Sequence, residues 1–448
     1  MIENLSPPRV VLRIAGTLEK AGFETWCVGG AVRDALLGHP HLDWDLATAA
    51  RPEQVRRLFP RTVPVGIAFG TVGVLDEDGI MHEVTTFRRD VNTDGRHAVV
   101  EFGATLEEDL ARRDYTINAI AFDPHRKEVR DPFRGRDDLA NGIIRSVGDP
   151  AERMREDRLR ALRGIRFAAR FGFSIESVTW QAVTESAPHL GRLSAERVKQ
   201  EIEKTMEQVR CPSVAFGMWK SSGAFTSLIP ALAEASSVEL STPDHVAMPV
   251  PAVTGSPLQP GLPIAKANRR TMRLIALFAA AAQSGVGDVL KALRFSNADA
   301  AWIGSVVGHW STMSDEIRFA MNEHDGPSDA VLRRWAAITG RTRLASVLRL
   351  SAARYAAERS AGMASPGAAV VHSAYRRAIA VAYRDPVEIA DLALNGNDLE
   401  RIGITGPAVG RTLRKLLETV INDPASNTRD RLLALIGRQA EDAGLNST

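Results

Sequence analysis

Apolar and polar positions alternate over the first 150 residues and then change to a spacing of three and four. Short apolar runs bounded by turn residues predict strands within ETWCVGG, LDWDLAT, GTVGVLD, MHEVTTF and AVVEFG. Helices are predicted near Ala31–Leu37 and Pro52–Leu58, and the helical spacing then runs from about residue 151 to 235. The pattern therefore predicts an α+β fold, with a small mixed sheet followed by helical regions.

The domain organisation follows from length and from changes in composition. At 448 residues the chain exceeds what one hydrophobic core usually organises. Residues 236–268 hold six prolines and many small residues, which predicts a linker or long loop. The remainder is rich in Ala, Leu and Arg and is predicted to be helical. We therefore expect five regions, which are 1–150, 151–235, 236–268, 269–360 and 361–448.

Composition narrows the function classes. With 44% apolar and 25% charged residues the chain is typical of globular proteins, and no run of about 18 apolar residues appears. The N-terminus lacks a signal-peptide layout, and two cysteines suit a reducing compartment, so a cytoplasmic protein without a membrane segment is expected. Residues 151–173 carry seven arginines against three acids, which fits either phosphate binding or a solvated helix face.

The segment CVGGAVRDALLGHPHLDWDLATA, residues 27–49, carries the first candidate chemistry. On a strand Asp43 and Asp45 share one face while Trp44 points to the other. Two carboxylates at the end of a strand are typical of a magnesium site that leaves positions for phosphates, although such pairs also occur on solvated strands.

Upstream, the pair Gly29–Gly30 leaves a strand and begins a helix, with Arg33 one turn further on. Free backbone N–H groups and a cation at a helix start form a cradle for an anion. The alternative is a tight turn with a cation on the surface.

Two further segments complete the pattern, which are RRDYTINAIAF (residues 112–122) and EDRLRALRGIRFAARFGF (residues 156–173). Together with GGAVRD and DWD of the first segment, and in this order, they resemble the class II tRNA nucleotidyltransferases and bacterial poly(A) polymerases. That superfamily shares a polymerase-β-like catalytic head. The resemblance extends over about residues 22–204.

The resemblance implies the roles of individual residues. It makes Asp43 and Asp45 the catalytic ligands of Mg²⁺. Glu83, on a strand that could pass near the metal, is a candidate third carboxylate, and the alternative is a solvated glutamate at a strand end. Residues that it assigns to nucleotide binding are Gly29, Gly30, Arg33, Arg113, Asp114, Asp157, Arg160, Arg163 and Arg166. It also implies in-line attack of an RNA 3′-hydroxyl on the α-phosphate.

Asp157 and Arg160 have a physical logic of their own. At i and i+3 they are neighbours on a helix, which is also the spacing of an ordinary ion pair. A carboxylate accepts from an exocyclic amine and a guanidinium donates to a ring acceptor, so the pair matches cytosine and adenine. Uracil and guanine present the opposite groups, and in similar families the protein itself is the template. Arg163 and Arg166 would then serve phosphate, ribose or helix packing.

Two segments refine the choice of family member. The stretch TTFRRDVNTDGRHAVVEFG resembles the flexible loop of complete CCA-adding enzymes, with Arg88, Asp94, Gly95 and Arg96 at patterned positions. Residues 269–360 resemble an HD-like region, but ALFAAAA stands where a His-Asp metal pair is expected, so no second metal centre of HD type is predicted. In the tail, GITGPAVG precedes candidate tRNA-binding residues, which are Arg411, Arg414 and Lys415.

The leading hypothesis is a CCA-adding tRNA nucleotidyltransferase that uses CTP, ATP and Mg²⁺. It is expected to recognise the acceptor and TΨC arms of tRNA by shape and backbone. Alternatives are a CC-adding or A-adding enzyme, a poly(A) polymerase, and a catalytically inactive RNA-binding protein of the same fold. The tail segment fits an RNA contact and a packed helix-turn-helix equally well.

Overall fold

The structure is a computed structural model that describes residues 5–39, 43–93, 98–246 and 269–442. They group into two compact units, residues 1–210 with 214–233 and residues 211–213 with 234–448. The predicted α+β fold is confirmed, because the first unit holds the main sheet and the second is helical.

The first unit is built on a seven-stranded sheet in the order β3-β4-β5-β2-β1-β8-β9. Strand β2 pairs with β5 in parallel, and the other neighbours in this sheet are antiparallel. The strands are β1 Thr25–Val28, β2 Asp45–Thr48, β3 Thr62–Gly66, β4 Thr71–Leu75, β5 Met81–Thr86, β6 Arg88–Thr93, β7 Ala98–Phe102, β8 Ala121–Asp123, β9 Glu128–Arg130, β10 Ile143–Ile144 and β11 Ser174–Ile175. Strands β6 and β7 form a separate antiparallel pair, and β10 and β11 a parallel one.

Helices surround this sheet and extend beyond it. They are α1 Arg9–Lys20, α2 Gly30–Leu36, α3 Pro52–Leu58, α4 Leu106–Ala111, α5 Gly135–Asn141, α6 Pro150–Glu156, α7 Leu159–Phe171, α8 Ser177–Ser186, α9 Ala195–Gln208, α10 Pro212–Ser222 and α11 Ala224–Leu228. The core of the sheet is apolar, with Trp26, Val28, Ala47 and Ala121 buried together. The five predicted strands and two predicted helices of the first 150 residues are all present.

Helix α7 passes close to the segment that follows α4. The Tyr115 hydroxyl donates a hydrogen bond of 2.6 Å to the backbone carbonyl of Arg160, and Tyr115 is fully buried. Gly164, one turn further along α7, leaves room for this ring, because a Cβ there would lie 2.1 Å from the Tyr115 hydroxyl. The glycine therefore allows α7 to pack closely against Tyr115.

The second unit is a bundle of helices, which are α12 Ser237–Ser241, α13 Arg269–Phe278, α14 Val286–Ala292, α15 Asn297–Met321, α16 Asp329–Thr339, α17 Arg341–Ser360, α18 Ala368–Arg384, α19 Gly396–Arg401, α20 Pro407–Asn422 and α21 Arg429–Asp442. Its C-terminal helices pack around a leucine-rich core that includes Leu399, Leu416 and Leu432. The segment ALFAAAA lies at the end of α13 and in the 3₁₀ turn that follows.

The predicted linker of residues 236–268 needs a correction at its start. Residues 237–245 are helical, because Ser236 and Glu239 form a capping box and Leu240 is buried. Proline content misled the prediction there, since Pro243 lies within the first turn of the 3₁₀ helix Thr242–His245. Residues 247–268 lie outside the described residues.

Among the described helices, none is by itself long and apolar enough to cross a membrane. One pair, residues 269–284 and 286–292, passes such a test together, but the pair is bent by 112°. Most residues of its first helix are buried within the protein.

The close approach at Gly164 predicts an unusual stability effect. A helical Gly→Ala change normally stabilises by up to about 1 kcal/mol. Gly164→Ala is expected instead to lower the free energy of unfolding by about 1–3 kcal/mol, because the new methyl group overlaps Tyr115. Gly217→Ala on α10 is the matched control, since nothing lies within 4 Å of its Cβ position. Urea unfolding of both variants tests this, and equal stabilisation by both would contradict it.

Candidate active site

One cavity of about 620 Å³ in the first unit brings the predicted site residues together. Nine basic and six acidic residues line it. Its lining includes every described residue of this unit that was assigned to metal or nucleotide binding, namely Gly29, Gly30, Arg33, Asp43, Asp45, Arg113, Asp114, Asp157, Arg160, Arg163 and Arg166. Asp94, Gly95 and Arg96 of the predicted loop lie outside the described residues, whereas Arg88 lines the cavity and donates to the Phe69 carbonyl.

Carboxylates from two neighbouring strands form one wall of the cavity. The parallel register pairs Leu46 with Val84, so Asp45 at the start of β2 lies beside Glu83 on β5. Asp43 precedes the strand and is exposed, while Trp44 between the two aspartates is buried, as the alternation predicts. Burial, followed by the charges of Glu83 and Asp43, raises the pKa of Asp45 to about 7.

This acidic wall fits a cation. Burial and two neighbouring carboxylates disfavour the charged form of Asp45, which a nearby cation would stabilise, and hard divalent cations prefer carboxylate oxygens. Within the described ranges, no three His, Cys, Asp or Glu side chains are arranged to hold a metal ion. Glu83 therefore lies close to the aspartate pair without completing a set of three protein ligands.

Gly29 sits where β1 turns into α2, and its conformation is demanding. Its φ is 77°, a region that residues with a Cβ rarely adopt. A Cβ there would approach the Arg113 guanidinium to 3.3 Å and an Asp45 oxygen to 3.7 Å. The strand register, in which Val28 faces Asp45, brings the start of α2 next to the acidic wall.

Arg33 is held rigidly rather than lying free on the surface. It is 4% exposed, and it donates 2.7 Å to Asp34 and 2.6 Å to the Asn118 side-chain carbonyl. Burial is the main cause that lowers its pKa, and Asp34 opposes that effect. The surface-cation alternative for Arg33 is therefore wrong.

The arginines that line the cavity, which include Arg33, Arg113, Arg160, Arg163 and Arg166, form what we call its basic wall. Asp114 holds one of them in place. Its carboxylate accepts 2.8 Å from Arg163 and 2.9 Å from the Asn118 amide. Burial alone would raise the pKa of Asp114, but Arg163 and Asn118 outweigh burial and lower it to about 2. Arg113 donates 3.1 Å to Asp109, which is buried on α4.

Asp157 does not lie on a continuous helix, which corrects the predicted i,i+3 geometry. Helix α6 ends at Glu156, Asp157 has extended backbone angles, and α7 begins at Leu159. The Asp157 side chain accepts from the Leu159 N–H at 3.0 Å, a local bond that competes with helix formation. Its other oxygen accepts 2.7 Å from Arg197.

Arg160 is also paired differently from the simple expectation. Its guanidinium donates 2.8 Å to Glu156 and 3.0 Å to the backbone carbonyl of Arg112. The ordinary ion pair between Asp157 and Arg160 is therefore replaced by two separate pairs. Both side chains nevertheless line the cavity.

Several site residues were missed by sequence reasoning. Lining residues without a predicted role include Asp109, Arg112, Asn118, Phe167, Arg170, Lys204 and Gln208. The partner of the predicted Arg166 was also missed, since Arg166 donates 2.7 Å to Glu201 of α9, which is 1% exposed, and the two form a buried ion pair. Asn118 lies in the segment RRDYTINAIAF, and Glu201 and Lys204 lie in α9. Only the folded chain shows which side chains these residues contact.

Comparisons with known proteins agree with this architecture. Residues 25–145 match the family model described as Poly A polymerase head domain. Residues 172–236 match the model described as Probable RNA and SrmB- binding site of polymerase A. The CCA-adding enzyme of Streptococcus mutans is 49% identical over 197 residues, which is 44% of this chain and 49% of that protein. That of Anoxybacillus flavithermus is 48% identical over 200 residues, 44% of this chain and 50% of that protein.

The matched region thus spans about half the length of these curated relatives. Solved structures extend the likeness to the whole fold. The Bacillus stearothermophilus CCA-adding enzyme in complex with CTP has a TM-score of 0.74 at 29% identity and covers 98% of both chains. The Thermotoga maritima CCA-adding enzyme complexed with tRNA has a TM-score of 0.66 at 20% identity, with 98% of this chain and 97% of that one covered. This chain is therefore similar to CCA-adding enzymes over about 44% of its length, matches two models of poly(A) polymerase domains, and has the fold of the CCA-adding enzymes of known structure.

Proposed function

We propose that this protein is a CCA tRNA nucleotidyltransferase, which adds C, C and A to tRNA 3′ ends from CTP and ATP without a nucleic-acid template. The observation that carries this proposal is the cavity itself, where an aspartate pair, basic residues and the Asp157–Arg160 segment converge. An acidic wall and a basic wall in one cavity suit a metal-bound triphosphate. The two free cysteines, Cys27 and Cys211, are in keeping with action in the cytoplasm.

Asp43 and Asp45 are proposed to hold the metal. This family of nucleotidyltransferases depends on a divalent metal, and Mg²⁺ is the ion that oxygen ligands and substrate phosphates favour. When bound, Mg²⁺ neutralises charge on the triphosphate and lowers the pKa of an attacking 3′-hydroxyl. Arg33 and Arg113 would bind phosphate oxygens, and Gly29–Gly30 would let the backbone approach them closely.

Asp157 and Arg160 are proposed to read the base. The Asp157 carboxylate retains lone pairs beyond its bonds to Arg197 and Leu159, so it can accept from the amine of cytosine or adenine. Arg160 would donate to the ring nitrogen of either base. Glu156 and Arg197 hold these two side chains apart, which prevents them from neutralising each other.

The tail is proposed to contact tRNA phosphates. On α20 the apolar residues Leu413, Leu416 and Val420 are buried, whereas Arg411, Arg414 and Lys415 on its other face are exposed. Exposed cations on one face of a helix suit the backbone of a duplex, which proteins recognise by shape. The acceptor and TΨC arms would supply that duplex.

One assay separates this proposal from its alternatives. Purified protein is incubated with tRNA that lacks its 3′ CCA, with tRNA ending in CC, and with each labelled triphosphate. Ordered addition of C, C and A supports the proposal. Addition of C alone, of A alone or of long A tails identifies the CC-adding enzyme, the A-adding enzyme or the poly(A) polymerase. Binding without incorporation identifies an inactive RNA-binding protein.

Asp43→Ala and Asp45→Ala are each expected to abolish incorporation, with a loss of at least about a hundredfold. Their tRNA affinity should stay close to wild type, because neither change removes a cation. The melting temperature should rise with added Mg²⁺ in the wild type and not in the variants. Asp78→Ala, an exposed carboxylate in the β4–β5 turn, is the control and should behave as wild type. Full activity in either site variant would remove the metal assignment.

Asp157→Ala is expected to relax the choice among the four triphosphates. The ratio of kcat/KM for CTP to that for UTP should fall at least about tenfold, because the group that rejects a carbonyl has gone. Glu152→Ala on the exposed face of α6 serves as the control. If Asp157→Ala remained strictly selective for C and A, Asp157 would not be the base-reading acceptor.

Removing the three tail cations together, Arg411→Ala, Arg414→Ala and Lys415→Ala, should weaken tRNA binding. The slope of log Kd against log salt should fall by about two to three if each cation contacts one phosphate. Glu418→Ala, exposed on the same helix, removes a negative charge and should not weaken binding. An unchanged slope in the triple variant would show that α20 does not bind the RNA.

A further inference from the structure

An aromatic ring lies among the arginines of the cavity, and neither the motifs nor the proposed reaction gives it a role. Phe167 on α7 lines the cavity and is 4% exposed. The guanidinium carbons of Arg33, Arg163 and Arg166 lie 5.1, 5.3 and 4.5 Å from its ring centroid. These distances are within the range of cation–π attraction.

The three arginines around Phe167, together with Arg170 over the neighbouring Phe171 ring, outnumber their carboxylate partners. Arg163 pairs with Asp114 and Arg166 with Glu201. Asp34 is shared, since it accepts from both Arg33 and Arg170 at 2.7 and 3.0 Å. Four guanidinium groups therefore contact three carboxylates, and the desolvated cations also repel one another.

Burial and neighbouring arginines lower the pKa of two of these guanidinium groups, whereas the charge of Asp114 raises that of Arg163. Burial is the main cause that lowers the pKa of Arg166, and the charge of Arg163 lowers it further. In the same way burial, and then Arg170, lowers the pKa of Arg33. The carboxylates offset part of this repulsion, and the electron-rich face of Phe167 lies close enough to three of the guanidinium groups to add to their attraction.

An aromatic ring offsets the repulsion between guanidinium groups in a different way from a fourth carboxylate. An added carboxylate would neutralise the cluster and repel an incoming triphosphate. The quadrupole of an aromatic face attracts guanidinium groups while leaving their full charge available. An aliphatic side chain would fill the same space without that attraction.

We infer that Phe167 is a positioning residue, whose ring face holds Arg33, Arg163 and Arg166 in place to bind the triphosphate of CTP and ATP. This inference rests on the proposed function, since it assumes that a nucleoside triphosphate enters this cavity. Phe167 itself need not touch the nucleotide. Its contribution should therefore depend on the electron density of the ring and not only on its shape.

Fluorinated phenylalanines at position 167 test this dependence in the full-length protein. Each added fluorine weakens the negative face of the ring and changes its size only slightly. The Kd for CTP, measured by calorimetry, and the KM for CTP and ATP should rise stepwise from mono- to trifluorophenylalanine. The total change should be about three- to thirtyfold, with kcat nearly constant. Phe167→Leu should weaken binding at least as much as the trifluoro variant.

Phe216 on α10 is the matched control. It is fully buried and packs on Trp219 and Phe225, so the same fluorination there should leave Kd and KM unchanged. A flat Kd series at position 167 would overturn the inference, even if Phe167→Leu failed to fold. Wild-type protein that binds CTP but does not extend tRNA would instead contradict the proposed function and leave the Kd series to decide the role of Phe167.

Discussion

The presence of unlike charges in one cavity, without their all pairing with one another, is the constraint on which the site depends. Carboxylates of β2, β5 and the segment before β2 line the cavity together with arginines from α2, α7 and the segment before the Thr116–Asn118 turn. If these groups closed on one another, they would form buried ion pairs and leave nothing to bind a ligand. A second set of carboxylates, Asp34, Asp114 and Glu201, holds the arginines in place instead. Asp45 lies beside Glu83 and Asp43, and burial together with these two carboxylates raises its pKa to about 7.

Asn118 shows how few atoms connect the two helices of the basic wall. Its amide accepts from Arg33 of α2 and donates to Asp114, which in turn accepts from Arg163 of α7. An amide can do both because it carries an acceptor and two donors on one planar group. Asp at this position would lose the donors, and Leu would lose both functions. The short 3₁₀ turn that contains Asn118 therefore fixes the position of Arg33 relative to α7 as firmly as backbone pairing fixes the strands.

The predictability of the site from sequence follows the range of the interactions involved. Alternation was enough to locate β1, β2 and β5, and to predict a buried Trp44 beside an exposed Asp43, because strand periodicity is local. The motifs of a known family then collected residues that one cavity indeed brings together. Spacing failed at Asp157, since an i,i+3 count cannot show that its side chain will accept from the Leu159 N–H where the helix is interrupted. It also could not pair Arg166 with Glu201, 35 residues away, or Arg170 with Asp34, 136 residues away.

The roles proposed for the two units differ in how many residue types each would accept at a given position. The proposed base reading and phosphate binding in the first unit require particular atoms at particular distances, so Asp157, Asn118 and Gly29 would tolerate few exchanges. Recognition of a duplex backbone requires only exposed cations at a suitable spacing on a helix, and Arg and Lys can exchange or move by a turn. The family models accordingly match segments that fall almost entirely in the first unit. In the second unit what must persist is the leucine-rich packing that presents α20, for which many apolar sequences of similar volume suffice.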